Sequence, residues 1–127
     1  MALILLIEDD PTLRRALCMS FEKLGHTVSE TGDGHAGLAV FKTHAFDLVV
    51  TDLIMPVMEG VETIRELRKI KPHIRIIAMS GGGRASPESY LQIAQTFGAA
   101  KVFTKPFEIG ALCQAVEELL GQKQSPP

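Results

Sequence analysis

The sequence predicts a single α/β domain of 127 residues, a doubly wound parallel sheet of five strands with helices on both faces. Two observations support this prediction. Brief runs of branched-chain and aromatic residues alternate with amphipathic stretches along the whole chain, and turn residues separate them. The connections are short enough to require right-handed crossovers between parallel strands. We therefore expect a (βα)₅ fold.

Five segments have the length and composition of strands. They are short, they consist largely of branched-chain or aromatic residues, and turn residues bound them. The predicted strands are Leu3 to Ile7, Thr27 to Glu30, Asp47 to Thr51, Ile74 to Met79 and Lys101 to Thr104.

The first helix is the most clearly delimited element. Apolar residues recur at helical spacing from Leu13 to Leu24, after an N-cap candidate, Asp10, and a proline at the first helical position. Gly25 follows the end of this pattern. We expect residues 1–121 to form the domain and residues 122–127 a flexible C-terminal tail. The other predicted helices are Ala36 to Lys42, Val61 to Ile70, Glu88 to Phe97 and Ile109 to Leu120.

Composition and charge argue against several classes of protein. An apolar share of 46% and a charged share of 22% are typical of a folded soluble domain. A net charge of −2 gives no positive field that would attract nucleic acid or an anionic membrane. No secretory signal or membrane-spanning segment is recognisable. Cys18 and Cys113 lie in apolar helical patterns typical of buried free thiols, so we expect a cytoplasmic location.

Polar side chains follow the predicted strands at their carboxyl ends, where doubly wound sheets bind ligands. Carboxylates crowded at one edge repel one another, and a hard divalent cation such as Mg²⁺ offsets that repulsion. A lysine and a serine at this edge can donate hydrogen bonds to the oxygens of a phosphoryl group. The remaining aspartate is then a candidate nucleophile. The residues concerned are Glu8 and Asp9 after the first strand, Asp52 after the third, Ser80 after the fourth and Lys105 after the fifth.

Each of these residues also has an ordinary structural interpretation. Taken alone, Asp52 is typical of a turn or a helix cap, Ser80 of a loop and Lys105 of the surface. We assign Asp10 to helix capping only. The histidines show no metal-site spacing, and we expect all four to be solvated: His26, His35, His44 and His73.

Four segments resemble the signature segments of response-regulator receiver domains: LLIEDDP, VVTDLIMPVMEG, IIAMSGG and VFTKPF. They occur in that family's order and at matching intervals over nearly the whole chain. The resemblance implies a flavodoxin-like sheet with strand order 2-1-3-4-5. It makes Asp52 the phosphorylated aspartate, Ser80 the switch hydroxyl and Lys105 the phosphate-binding lysine. Pro56 and Gly60 match the turn after the acceptor.

The resemblance also implies a metal site and one unusual peptide bond. The expected ligands of Mg²⁺, for which Mn²⁺ can substitute, are Glu8, Asp9, Asp52 and the backbone carbonyl of Ile54. The Lys105–Pro106 bond is expected to be cis, a form that is accessible to X-Pro bonds.

A chain of this family would be a signalling switch. A sensor histidine kinase or a histidine phosphotransfer protein would phosphorylate Asp52, and an unidentified downstream protein would receive the signal by contact with a monomer or a phosphorylation-dependent dimer. The chain would catalyse only its own phosphorylation and dephosphorylation, and we expect no direct contact with nucleic acid or membrane. Three alternatives stay open: a flavin- or nucleotide-binding module, an aspartyl-phosphate hydrolase, and a phosphorylation-independent protein-binding module that keeps the receiver fold.

One position departs from the family's usual pattern. Receivers often carry an aromatic residue three positions before the active-site lysine, where this chain has Val102. The adjacent residue is Phe103, and adjacent residues of a strand point to opposite faces of the sheet. We therefore expect Phe103 to pack on the face opposite Val102.

Overall fold

The computed structural model describes residues 1–53, 59–81, 92, 95, 96 and 98–121. Five strands form one sheet in the order β2-β1-β3-β4-β5, and every neighbouring pair is parallel. The fold class and the strand order predicted from the sequence are confirmed. The strands are β1 (Leu3–Ile7), β2 (Thr27–Thr31), β3 (Leu48–Asp52), β4 (Arg75–Gly81) and β5 (Lys101–Lys105).

Four helices lie within the described ranges. The first begins as predicted, because Asp10 Oδ1 accepts hydrogen bonds from the backbone N–H groups of Thr12 at 2.9 Å and Leu13 at 3.3 Å. Gly25 follows its end with a φ of +95°, which glycine adopts without strain. Most of the helix predicted over 88–97, and the whole tail over 122–127, lie outside the described residues. The helices are α1 (Pro11–Lys23), α2 (Gly34–Phe41), α3 (Glu59–Ile70) and α4 (Ile109–Gly121).

The core has two layers, one on each face of the sheet. Ile4 and Leu6 of β1 pack with α1 and α4, whereas Leu5 and Ile7 pack with α2 and α3. Because successive side chains of a strand point to opposite faces, a strand covered on both sides must be apolar at every position. We call the two sides of the sheet the α1/α4 face and the α2/α3 face.

Four strands extend further toward their carboxyl ends than predicted, and one of them is β2, which ends at Thr31 instead of Glu30. β3 ends at Asp52, β4 at Gly81 and β5 at Lys105. Polar residues and glycine have low strand propensity, so the sequence pattern stops early. The neighbouring parallel strands nevertheless supply hydrogen-bond partners to these residues. Asp52, Ser80 and Lys105 therefore lie inside the sheet rather than in the loops that follow it.

The prediction that all four histidines are solvated is wrong for His26. Its side chain is 7% exposed. Nδ1 accepts a hydrogen bond from the backbone N–H of Ala2 at 3.2 Å, and Nε2 lies 2.7 Å from Glu117 Oε1. His26 thus connects the start of β1 to α4. The other three histidines are exposed, as predicted.

Both cysteines are free thiols, as predicted. Cys18 is buried and Cys113 is half-buried, and both pack on the α1/α4 face. Burial raises the pKa of Cys18 to about 12, and the nearby Glu30 carboxylate adds to this effect. None of the helices in the described part of the chain has the length and apolar character that a membrane crossing requires.

Candidate functional site

The carboxyl edge of the sheet brings the predicted site residues together. Ile7 of β1 aligns with Thr51 of β3, so the residues that follow them, Glu8 and Asp52, come side by side. On the other side of β3, Asp52 aligns with Met79 of β4. Parallel strands thus place carboxylates from separate parts of the sequence at neighbouring positions.

Lys105 connects the two carboxylates. Its Nζ donates to Glu8 Oε1 at 2.7 Å and to Asp52 Oδ2 at 3.0 Å. The Glu8 side chain is fully buried and that of Asp52 is 2% exposed, whereas the Lys105 side chain is 26% exposed. One partly exposed ammonium therefore contacts two carboxylates that are almost completely buried.

Burial perturbs the ionisation of this group. It raises the pKa of Glu8 to about 7, and the Asp52 charge adds to the rise, although the hydrogen bond from Lys105 acts against it. Burial also lowers the pKa of Lys105, but its contacts with Glu8 and Asp52 outweigh that effect and leave the pKa raised. The lysine stays charged at neutral pH, but its hydrogen bond does not fully offset the effect of burial on Glu8.

The carboxylates form a cluster suited to a hard cation. Glu8, Asp9 and Asp52 each offer one oxygen, and these oxygens all lie within 4.8 Å of one another. Asp9 is exposed, so a ligand from solvent can reach the cluster. Carboxylate oxygens that include one exposed to solvent match the ligand preference of Mg²⁺. The predicted fourth ligand, the carbonyl of Ile54, lies outside the described residues and stays a prediction.

Ser80 provides a hydroxyl at the same edge. It lies in β4, one position after the residue aligned with Asp52, and aligns with Thr104 of β5. Its side chain is 1% exposed, and Oγ has no hydrogen-bond partner among the described residues. A buried hydroxyl without a partner costs about 1–3 kcal/mol. A ligand with acceptor oxygens at this edge would recover that cost.

Two contacts that the sequence did not reveal hold the site in place. Arg14 of α1 donates from NH1 to the backbone carbonyl of Glu8 at 2.9 Å. A Cβ atom at Gly60, near the start of α3, would lie 2.6 Å from the carbonyl oxygen of Asp52. The family resemblance marks Gly60 as part of a turn, but only the structure shows that its missing side chain makes room for the backbone of the candidate acceptor.

Val102 and Phe103 lie on opposite faces of the sheet, as predicted. Val102 packs on the α2/α3 face, and Phe103 packs on the α1/α4 face, where its ring centroid is 5.9 Å from that of Phe107. Ala78 aligns with Val102, and Ser80 lies two residues further along β4. Val102 therefore shares its face with Ser80, and Phe103 does not. The cis Lys105–Pro106 bond that the family resemblance implies is also present.

The sequence profile of the response regulator receiver domain matches residues 4–117. The chain belongs to this receiver-domain family. Receiver domains are phosphorylatable signalling switches of two-component systems. They bind Mg²⁺ at an acidic pocket, and they interact with histidine kinases or phosphotransfer proteins. The family membership thus confirms the class of protein that the sequence predicted.

Similar receiver sequences occur as short proteins and as parts of long ones. The response regulator receiver protein CpdR of Brucella abortus is 33% identical over 119 residues, 92% of this chain and 95% of CpdR. Sporulation initiation phosphotransferase F of Bacillus subtilis is 30% identical over 122 residues, 96% of either protein. The transcriptional regulatory protein GlrR of Escherichia coli is 32% identical over 119 residues, but this receiver spans only 26% of its length.

Solved receiver structures have the same fold. Chemotaxis protein CheY4 of Vibrio cholerae superposes with a TM-score of 0.82 at 26% identity, over 94% of this chain and 98% of CheY4. A CheY-like receiver domain protein from Methanospirillum hungatei superposes with a TM-score of 0.84 at 27% identity, over 94% of each chain.

Proposed function

We propose that this receiver accepts a phosphoryl group on Asp52 in a Mg²⁺-dependent reaction and passes the signal on by protein contact. The observation that carries the proposal is the shared lysine, because Lys105 Nζ contacts Glu8 at 2.7 Å and Asp52 at 3.0 Å. A buried carboxylate beside a fixed cation is the arrangement that a phosphoryl acceptor needs. Residues 1–121 constitute the receiver in this proposal.

In the proposed reaction, an oxygen of Asp52 attacks the phosphorus of a phosphohistidine on a histidine kinase or a histidine phosphotransfer protein. The new P–O bond forms as the P–N bond breaks, and the leaving imidazole keeps the bonding electron pair. Lys105 lies where its ammonium can follow an oxygen of the transferred group. The chain modifies only itself, and hydrolysis of the acyl phosphate restores the carboxylate.

The residues that would hold the metal are Glu8, Asp9 and Asp52, because their oxygens cluster within 4.8 Å. When bound, Mg²⁺ supplies positive charge that neutralises the oxygens of the transferring phosphoryl group. The raised pKa of Glu8 supports this assignment, since the lysine alone leaves that carboxyl partly protonated near pH 7. The carbonyl of Ile54 completes the proposed set.

Ser80 is the proposed link from phosphorylation to a partner surface. Its buried Oγ has no partner in the described part of the chain, so it is available to donate to a phosphoryl oxygen. Val102 lies on the same face of the sheet, on the neighbouring strand. Movement of the serine toward Asp52 would open space next to Val102, and a downstream protein would recognise the resulting change in surface shape.

Phosphate-affinity electrophoresis with acetyl phosphate and Mg²⁺ tests the proposal. The wild-type chain should show a shifted band that Asp52→Asn lacks and that disappears when EDTA removes the metal. Asp10→Asn is the matched control, because it removes a carboxylate near the cluster while asparagine remains a good N-cap for α1. Loss of the shifted band in both variants would point to general acidity of this edge rather than to one acceptor.

Some receivers do not use small phosphodonors, so binding of beryllofluoride supplies a second readout. In ¹⁹F NMR, the wild-type chain with Mg²⁺ should give a bound signal that Asp52→Asn does not give. If the wild type shows neither a shifted band nor bound beryllofluoride, the phosphorylation proposal fails. A protein-binding module that works without phosphorylation then becomes the better explanation.

A further inference from the structure

The exposed metal-ligand candidate, Asp9, lies between two peptide groups that are both held by side chains. On its carboxyl side, the N–H of Asp10 donates to Glu8 Oε2 at 3.0 Å. On its amino side, the carbonyl of Glu8 accepts from Arg14 NH1 at 2.9 Å. The orientation of Asp9 thus depends on one carboxylate inside the cluster and one guanidinium outside it.

Arg14 is itself held in place from the opposite side. Its Nε lies 3.4 Å from Glu30 Oε1 of β2, and its side chain is 24% exposed. The backbone of Glu8 is also fixed, because its N–H donates to the carbonyl of Thr31 at 3.0 Å. A planar guanidinium can make both contacts at once from different nitrogens. Arg14 therefore connects β2 to the loop that carries the acidic pair.

We propose that Arg14 is a positioning residue for the metal site, which it orients by holding the Glu8–Asp9 peptide plane. It touches neither the metal ligands' carboxylate oxygens nor the proposed acceptor in any contact described above. This inference rests on the proposed function, since it assumes that Asp9 binds Mg²⁺. Arg14 would then act on the metal site through the backbone, and no acidic or phosphate-binding sequence pattern identifies such a residue.

The direction in which Mg²⁺ affinity changes when Arg14 is replaced distinguishes a positioning role from a purely electrostatic one. Removal of a cation near a carboxylate cluster strengthens Mg²⁺ binding if only electrostatics matters, because less positive charge repels the metal. Loss of a positioning hydrogen bond weakens Mg²⁺ binding, because the Asp9 carboxylate must then be ordered when the metal binds. For Arg14 we expect the loss of positioning to outweigh the loss of charge, so its replacement should weaken Mg²⁺ binding.

Arg15 provides a matched control on the same helix. Its NH1 lies 2.5 Å from Glu30 Oε2, so it shares the carboxylate partner of Arg14. Its described hydrogen bonds go to Glu30 and Cys18 and not to the acidic loop. Arg15→Met thus removes the same charge and a contact to the same glutamate, but it leaves the Glu8 carbonyl hydrogen bond in place.

Mg²⁺ titrations followed by ¹H–¹⁵N NMR of wild type, Arg14→Met, Arg14→Lys and Arg15→Met test the inference. The dissociation constant should rise about five-fold in Arg14→Met, the change expected from one lost hydrogen bond, and stay within about two-fold in Arg15→Met. Arg14→Lys keeps the charge but lacks the planar fork, so it should also weaken binding. Unchanged or tighter binding in Arg14→Met would overturn the inference, as would equal weakening in both methionine variants.

Amide hydrogen exchange in the metal-free proteins gives a readout that does not depend on Mg²⁺. The Asp10 amide should exchange several-fold faster in Arg14→Met than in wild type or Arg15→Met, because the loop loses an anchor. If wild type fails to bind Mg²⁺ while this exchange pattern appears, the proposed metal function is wrong and Arg14 is only a structural anchor. Exchange that is identical in all variants would show that Arg14 does not order the loop.

Discussion

Replacement of Gly60 by alanine is expected to displace the backbone of the proposed acceptor. The new Cβ would lie 2.6 Å from the carbonyl oxygen of Asp52, 2.6 Å from Leu53 Cα and 2.7 Å from Leu53 O. All three atoms belong to the backbone, so no side-chain rotation relieves the clash. Since ordinary contacts begin at 3.4 Å, the start of α3 and the end of β3 must separate by about 0.8 Å.

The magnitude follows from comparison with Gly110. Both glycines are the second residue of a helix, Gly60 in α3 and Gly110 in α4. A Cβ at Gly110 would have no atom within 4 Å. Gly110→Ala should therefore stabilise the protein by up to about 1 kcal/mol through helix propensity. Gly60→Ala gains the same helix propensity, but the clash adds an overpacking cost of about 1–3 kcal/mol. Its free energy of unfolding should therefore be about 1–3 kcal/mol lower than that of Gly110→Ala.

Urea unfolding and the rate of phosphorylation by acetyl phosphate together test this prediction. A shift approaching 1 Å at a nucleophile can lower a rate by about 100-fold, so Gly60→Ala should be slow as well as destabilised. Gly110→Ala should react at the wild-type rate. If the two variants differ in stability by less than about 0.5 kcal/mol, the close approach of α3 to Asp52 is refuted. If Gly60→Ala is destabilised but reacts at the wild-type rate, the displacement does not reach the carboxylate.

Three further predictions concern other parts of the chain. Lys105→Met should lower the free energy of unfolding more at pH 8 than at pH 5, because the pKa of Glu8 is about 7 and its carboxylate needs the ammonium only when ionised. Urea unfolding midpoints at both pH values measure this difference. Arg68→Met should lower the free energy of unfolding in urea by about 1–3 kcal/mol, because three backbone carbonyls lose a hydrogen-bond donor. The control Lys69→Met removes only an exposed ion pair, so it should cost less than about 0.5 kcal/mol. With a pKa of about 12, Cys18 should have roughly a 1,000-fold smaller thiolate fraction at pH 8.5 than an ordinary thiol, so iodoacetamide should label it far more slowly in the folded protein than in urea.

The fold was predictable because its signals are local and repeated. Branched-chain runs mark the strands, and Asp10 with Gly25 delimits α1 on both sides. The ends of β3, β4 and β5 were less predictable, since Asp52, Ser80 and Lys105 continue strands for which their own propensity is low. Their place in the sheet depends on neighbouring strands that are distant in sequence.

Part of the candidate site was also predictable, because parallel strands gather the residues at their carboxyl ends. The connection of Glu8 and Asp52 through Lys105 follows from this rule together with the strand order. The contact from Arg14 to the backbone carbonyl of Glu8 could not be predicted in this way, because the sequence does not distinguish this arginine from any other arginine in a helix. Likewise, nothing in the sequence distinguishes His26, with its partners Ala2 and Glu117, from a solvated histidine.

The positions of Val102 and Phe103 also bear on selectivity among signalling proteins. The larger side chain sits on the α1/α4 face, while the face shared with Ser80 carries a branched aliphatic residue. A target protein that selects its receiver by an aromatic ring at the position of Val102 would meet a branched aliphatic side chain here. We therefore expect such targets to bind this receiver less well, even though it has the receiver fold.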